Sequence, residues 1–249
     1  MAYNLFANSI STILLDIEGT TTPIAFVYEV LFPFARVGVR KYLEDHVDEA
    51  DVRQDLSRLR EEHETDVRQQ LDPPTLLAGS IATEIDSLVT YVKWLMDRDR
   101  KSTALKAFQG KIWEEGYAAG KLKSQVFSDV PGSLERWREA GLSLNIFSSG
   151  SILAQKLLFA HTGVGDLTKF LDQYFDTTTG PKAAEASYRH IASALQRSLS
   201  ETLFISDVLV ELDAARGAGM KTALCLRPGN HPQTLVHTHP TIRTFAELD

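Results

Sequence analysis

The sequence predicts an α/β protein built on a doubly wound parallel sheet, with a helical module inserted after the first strand. Three observations carry this expectation. Short apolar runs alternate with helical segments through the C-terminal half, the pattern of βαβ units. Residues 23–123 contain no run that reads as a strand. Polar residues, chiefly Asp and Ser, recur just past the strand-like runs, where ligands of open α/β sheets bind.

The first strand is the run 10–15, which ends at Asp16-Ile17-Glu18-Gly19. Three threonines follow, and then Pro23, a residue suited to an early helical position. It starts the apolar-periodic segment "IAFVYEVLFPFARVGVRKYL", which Pro33 is expected to break or kink. The charged stretch 48–71 is helical by pattern and stops before Pro73-Pro74. Segments 82–100 and 104–120 complete the helical module. Beyond it, strands are expected at 142–147, 170–175, 202–207 and 221–226, about five in all with the first, and helices at 152–160, 183–196 and 209–217. The division expected is a sheet core from 1–22 and 124–249, and a helical cap from 23–123. Hinges are expected near Thr21–Pro23 and Ser124–Val130.

Composition narrows the function classes. The chain has 249 residues, 43% of them hydrophobic, and a formal net charge of −7. An acidic balance argues against nucleic acid as a partner, since phosphate backbones select basic surfaces. It leaves room for a small phosphorylated substrate held by one or two local cations. No apolar run approaches the length of a membrane helix, and no basic stretch leads into an apolar core at the N-terminus, so neither a membrane partner nor a secretory leader is expected. The single cysteine, Cys225, precludes an internal disulfide and fits a reducing, cytoplasmic setting. In "KTALCL" it reads as a small buried residue.

Asp16, Ser148 and Asp207 each fall just past a predicted strand, and Lys182 follows another after a short loop. A carboxylate there can attack phosphorus and form an aspartyl-phosphate. Two neighbouring carboxylates repel unless a cation neutralises them, and Mg²⁺ prefers hard oxygen ligands of this kind. Asp16 and Asp207 would supply its carboxylates. Through a turn at Gly19, the main-chain carbonyl of Glu18 could reach the metal while its side chain handles protons. Ser148 offers a hydroxyl and Lys182 a point charge for phosphoryl oxygens. A lysine inside the first turn of a helix opposes the helix dipole, which favours a functional reason for Lys182.

Four motifs stand in chain order: "DIEGTTTPI", "NIFSSGS", "GPK" and "ISDVLVE". They resemble the motifs of the haloacid dehalogenase superfamily, mostly Mg²⁺-dependent phosphatases. The first motif departs from the usual Asp-x-Asp, with Glu18 at its second acid. That departure, together with "DRKSTALKAFQGKIWEEGYAAGKL", "DTTTGPKAAEASY" and "RPGN", resembles the enolase-phosphatase, or acireductone synthase, family of methionine salvage. The resemblance covers nearly the whole chain. It implies that 2,3-diketo-5-methylthiopentyl-1-phosphate is enolised and then dephosphorylated. It implies Asp16 as nucleophile, one Mg²⁺ per subunit on Asp16, Asp207 and Glu18, and Ser148, Ser149 and Lys182 on the substrate phosphate. Glu18 is the candidate for proton transfer. It further implies a monomer, and a cap closing over the substrate, with Lys101 and Lys106 as candidate contacts.

Plainer readings stand beside these. Thr20–Thr22 suit turn hydroxyls and a helix cap before Pro23. Ser148 could cap the helix expected from 152, and Glu211, one turn past Asp207, could either orient the metal shell or sit on a solvated helix face. His231, His237 and His239 lie between prolines with no acid or thiol nearby in sequence, and read as a loop. Two rival functions remain: a phosphatase of the same superfamily with another small substrate, and a phospho-accepting receiver. In a receiver the acceptor Asp lies on a middle strand, after an earlier acidic pair. Here the acidic pair comes first and a long helical insert follows.

Overall fold

Strand β1 (Thr12–Leu15) is buried along its whole length, as an uninterrupted apolar strand must be when both faces of a parallel sheet are covered. In the computed structural model, which describes residues 4–5, 7–98, 100, 102–232 and 236–248, the chain divides into two compact units. One comprises Met1–Val27 with Leu122–Asp249, and the other Tyr28–Lys121.

After β1 the chain enters α1 (Ile24–Phe26) and a π-helical turn, Val27–Leu31. Then α2 (Phe32–His46) begins with Pro33 in its first turn. The expected break at Pro33 is therefore a change of helix type just before it. A proline ring collides with the carbonyl four residues earlier in an α-helix, and the wider turn precedes that clash. The second unit continues with α3 (Ala50–Arg68), α4 (Ile81–Asp97) and α5 (Thr103–Ala118). Helix α4 buries Ile85, Leu88, Val89, Val92 and Leu95, the spacing of one helical face. Ser80 and Ser102 cap α4 and α5, each accepting a backbone N–H. Gly38 of α2 lets Ile112 of α5 approach, since a Cβ there would stand 2.8 Å from its Cγ2. Asp66, fully buried, accepts from Tyr91 Oη at 2.7 Å and Arg100 Nη2 at 2.6 Å.

The first unit resumes with α6 (Val130–Glu139), β2 (Ser143–Phe147), α7 (Ile152–Ala160) and β3 (Gln173–Phe175). It ends with α8 (Glu185–Leu195), β4 (Thr202–Ser206), α9 (Leu209–Ala218), β5 (Lys221–Cys225) and β6 (Thr241–Ile242). The six strands are parallel in the order β3-β2-β1-β4-β5-β6. Helix α6 and strand β6 were not expected from the sequence. At the stretches where hinges are expected, Thr20–Thr22 are fully buried, and Phe127 N–H donates to the Thr21 carbonyl at 3.0 Å.

Candidate active site

The strand order reverses at β1, because the chain adds β2 and β3 on one side of it and then β4 on the other. Crevices at the carboxyl ends of strands flanking such a switch are where open α/β sheets bind ligands. Leu15 is in register with Ile146 on β2 and Ile205 on β4. Asp16, Ser148 and Asp207 therefore emerge along one edge of the sheet. All three are buried, at 4%, 6% and 7% exposure.

Beyond Asp16 the chain does not continue as a strand. Ile17 accepts the N–H groups of Thr20, Thr21 and Thr22, and Gly19 N–H donates to the Thr22 carbonyl at 2.8 Å. Gly19 takes φ +69°, a left-handed conformation that glycine adopts freely. A Cβ on it would stand 2.4 Å from Asp207 Oδ2, so only glycine lets this turn lie against Asp207. Asp16 is held from several sides. Its N–H donates to the Ile205 carbonyl at 3.0 Å, Thr20 Oγ1 donates to its Oδ2 at 3.5 Å, and Thr21 Oγ1 to its carbonyl at 3.3 Å.

Lys182 reaches this carboxylate from the β3–α8 loop. Its Nζ stands 2.5 Å from Asp16 Oδ1 and 2.7 Å from Glu211 Oε2. The core positions it: Tyr188 Oη donates to the Lys182 carbonyl at 2.7 Å, and Ser187 Oγ to the Pro181 carbonyl at 2.7 Å. The Tyr188 ring is wedged between Phe147 and Phe204. Glu211 also accepts from Ser206 Oγ at 3.0 Å.

Three acids and one lysine share this buried edge. Burial pulls the Lys182 ammonium down, but the Asp16 and Glu211 carboxylates more than offset it, and its pKa is pushed up to about 12. Burial, then the negative neighbours Asp16 and Glu211, raise Asp207 to about 7. Burial raises Glu211 as well, against the pull of Lys182.

The haloacid dehalogenase-like hydrolase profile matches residues 10–219. "Enolase-phosphatase E1" of Synechococcus elongatus is 48% identical over 240 residues, covering 96% of this chain and 98% of that protein. The chain belongs to the enolase-phosphatase family of haloacid dehalogenase-like hydrolases. A Populus trichocarpa protein named "Probable bifunctional methylthioribulose-1-phosphate dehydratase/enolase-phosphatase E1" is 45% identical over 241 residues, 95% of this chain and 46% of its own length. Among solved structures, the yeast protein UTR4 overlays with a TM-score of 0.76 at 33% identity, over 94% of this chain and 98% of its own.

Within that family assignment the sheet edge brings Asp16, Lys182 and Glu211 into direct contact and sets Asp207 against the Gly19 turn. Glu18, half-buried, stands in that turn and pairs backbone with Thr22, rather than lying on a straight strand. Ser148 N–H donates to the Phe175 carbonyl at 3.1 Å, and its Oγ accepts from Gly150 N–H at 3.3 Å; Ser149 is the next, half-buried residue.

Several plain readings need correction. Ser151, not Ser148, caps α7, accepting the Ala154 N–H. Thr22 does not cap a helix: Pro23 holds that position, and the Thr22 hydroxyl is buried without a partner. Lys182 lies before α8, which starts at Glu185, so the helix-dipole argument for it fails and the two carboxylates replace it. Glu211 is no solvated residue, its side chain being 13% exposed. His239 is held between Thr222 and Asp213, at 2.8 and 3.1 Å. Lys101 lies outside the described residues.

The donors fit a hard cation. Asp16 and Asp207 bring two carboxylates, hard oxygen donors of the kind Mg²⁺ takes alongside water and phosphate. Burial, and then the like charges of Asp16 and Glu211, lift Asp207 to about 7, and a divalent ion there would relieve the repulsion. Among the described residues no three His, Cys, Asp or Glu side chains group as a metal site.

Proposed function

We propose that this chain enolises 2,3-diketo-5-methylthiopentyl-1-phosphate and then removes its phosphate to give an acireductone, as an enzyme of methionine salvage. The observation that carries the phosphatase half is the Lys182 ammonium 2.5 Å from Asp16 Oδ1, at the switch point of the sheet. The enolase half rests on family membership and on Glu18, which replaces the second aspartate of the usual motif. The Populus relative's name joins this activity to a methylthioribulose-1-phosphate dehydratase. Loss of water from such a sugar phosphate yields a diketone phosphate, the kind of substrate an enolising step requires.

In this reading Mg²⁺ is held by Asp16, Asp207 and the Glu18 carbonyl, one ion per chain. Bound there, the ion would supply positive charge that eases the approach of a carboxylate to a phosphoryl group. Ser148, Ser149 and Lys182 orient the phosphoryl group. Against burial, Asp16 and Glu211 push the Lys182 pKa up to about 12 in the free protein, so it meets the phosphate as a cation. Glu18 moves the proton that enolisation takes from carbon and serves the leaving oxygen in the second step. An oxygen of Asp16 then attacks phosphorus, the bond from phosphorus to the substrate oxygen breaks, and an aspartyl-phosphate forms. Water attacks that phosphorus, releasing phosphate and restoring the carboxylate.

Acid-quenched turnover followed by peptide mass spectrometry tests the covalent step. The peptide containing Asp16 should gain one phosphoryl group during turnover. Phosphate release with that peptide unmodified at every quench time would count against Asp16 as nucleophile.

A further inference from the structure

We propose that Asn230, on the loop after β5, is a positioning residue for the cation site, fixing the Gly19 turn with its amide nitrogen and facing the Asp207 side with its oxygen. The inference rests on the reading of Asp16, Glu18 and Asp207 as the metal-binding set.

The amide's orientation follows from its partners. Asn230 Nδ2 donates to the Gly19 carbonyl at 2.9 Å and the Cys225 carbonyl at 3.3 Å. Both partners accept only, so the NH₂ must point at them and Oδ1 the other way. That oxygen is buried and has no hydrogen-bond partner. A Cβ on Gly19 would stand 3.0 Å from it and 2.4 Å from Asp207 Oδ2, so the two oxygens border one point in space. Buried polar atoms left without a partner are uncommon and call for an explanation. Mg²⁺ keeps several of its waters, and a water on an ion held here would supply the donor that Oδ1 lacks.

The loop carrying Asn230 is itself pinned. Asn230 N–H closes a turn onto the Arg227 carbonyl at 3.2 Å. Arg227 Nε donates to the Thr20 carbonyl at 3.0 Å, and its Nη1 to both Asp129 oxygens at 2.9 Å and to the Arg243 carbonyl at 3.0 Å. The guanidinium lies 4.6 Å from the Phe127 ring centre and 4.7 Å from that of Phe245. Consecutive carbonyls of the turn, Gly19 and Thr20, are thus gripped by Asn230 and Arg227. In this way the "RPGN" stretch sets the register between the loop after β1 and the end of β5.

The test is titration calorimetry of EDTA-stripped protein with Mg²⁺ alone, alongside thermal unfolding. Wild type should bind one ion per chain and Asp207→Asn should lose it. Asn230→Ala should weaken the affinity roughly 10- to 100-fold, as loss of a partner to ligating groups does. A destabilised control, Ile242→Val in β6, should keep wild-type affinity. If Asn230→Ala does not fold, Asn230→Gln, whose amide is displaced by one methylene, should show the same loss. Wild-type affinity in a folded Asn230 variant would overturn the inference. No Mg²⁺ binding by wild type would instead overturn the metal reading beneath it.

Discussion

Lys182 and Asp16 form a buried ion pair, Nζ to Oδ1 at 2.5 Å, with side chains 10% and 6% exposed. The pair brings together residues 166 positions apart in the chain, and Glu211 shares the ammonium from the far side at 2.7 Å. One lysine therefore neutralises an acid just past β1 and an acid on α9. Removing it strands both in a dry site.

Replacing Lys182 by Met should lower the phosphatase kcat by about 100- to 1,000-fold, the loss usual for one preorganised cationic or hydrogen-bonding group. The stranded carboxylates should also lower the thermal midpoint. Lys182→Arg should not restore activity, because a planar fork does not fit a socket built for a point charge. Steady-state phosphate release and a melting curve for both variants check this.

Gly19→Ala should separate the turn from Asp207. The left-handed conformation costs a Cβ-bearing residue roughly 1–2 kcal/mol, and the new methyl would meet Asp207 Oδ2 at 2.4 Å. The expected result is a folded protein of lower stability that binds Mg²⁺ at least about tenfold more weakly. Calorimetry and denaturant unfolding report the two effects separately.

Much of this architecture was legible in the chain. Strands β1, β2, β4 and β5 announce themselves as apolar runs because a parallel sheet buries both faces. An Asp at a strand's end often does no more than begin a turn, and Asp16 and Asp207 are legible because four motifs stand in chain order at such ends. Strand β6 was not, since two residues carry no periodicity. Helix α6 was hidden by reading 124–130 as a junction, although Pro131 in its first turn is a start signal. The partners of Lys182 and Asn230 come from distant segments, and no local pattern encodes such pairings. Glu211 was visible as an acid near Asp207, but its contact with Lys182 depends on how α8 and α9 pack.

Stability of the helical unit should hinge on Asp66. Its side chain is 1% exposed and accepts from both Tyr91 and Arg100. The Arg100 side chain is 31% exposed and keeps its hydration, so Asp66→Ala chiefly strands the Tyr91 hydroxyl and should destabilise the unit by about 1–3 kcal/mol. Guanidinium unfolding of the full chain measures it.

His239 should make the first unit acid-sensitive. Burial comes first among the causes that lower its pKa from the ordinary 6.5, with Arg216 and His237 adding to it and Asp213 opposing. Below 6.5 the unfolded chain binds a proton that the folded imidazole refuses, so stability present above that pH falls as pH drops through it. Unfolding free energies measured from pH 8 to 5 should show this slope, and His239→Gln should flatten part of it.

The most direct measurement mixes purified protein, Mg²⁺ and the diketone phosphate without oxygen, following enol absorbance and free phosphate in the same sample. An enol signal should precede phosphate release. Asp16→Asn, which keeps Glu18 but loses the nucleophile, should form the enol and release no phosphate. Phosphate released from other small phosphate esters, with no enol from this substrate, would contradict the two-step reading and leave a phosphatase of the same fold with a different substrate.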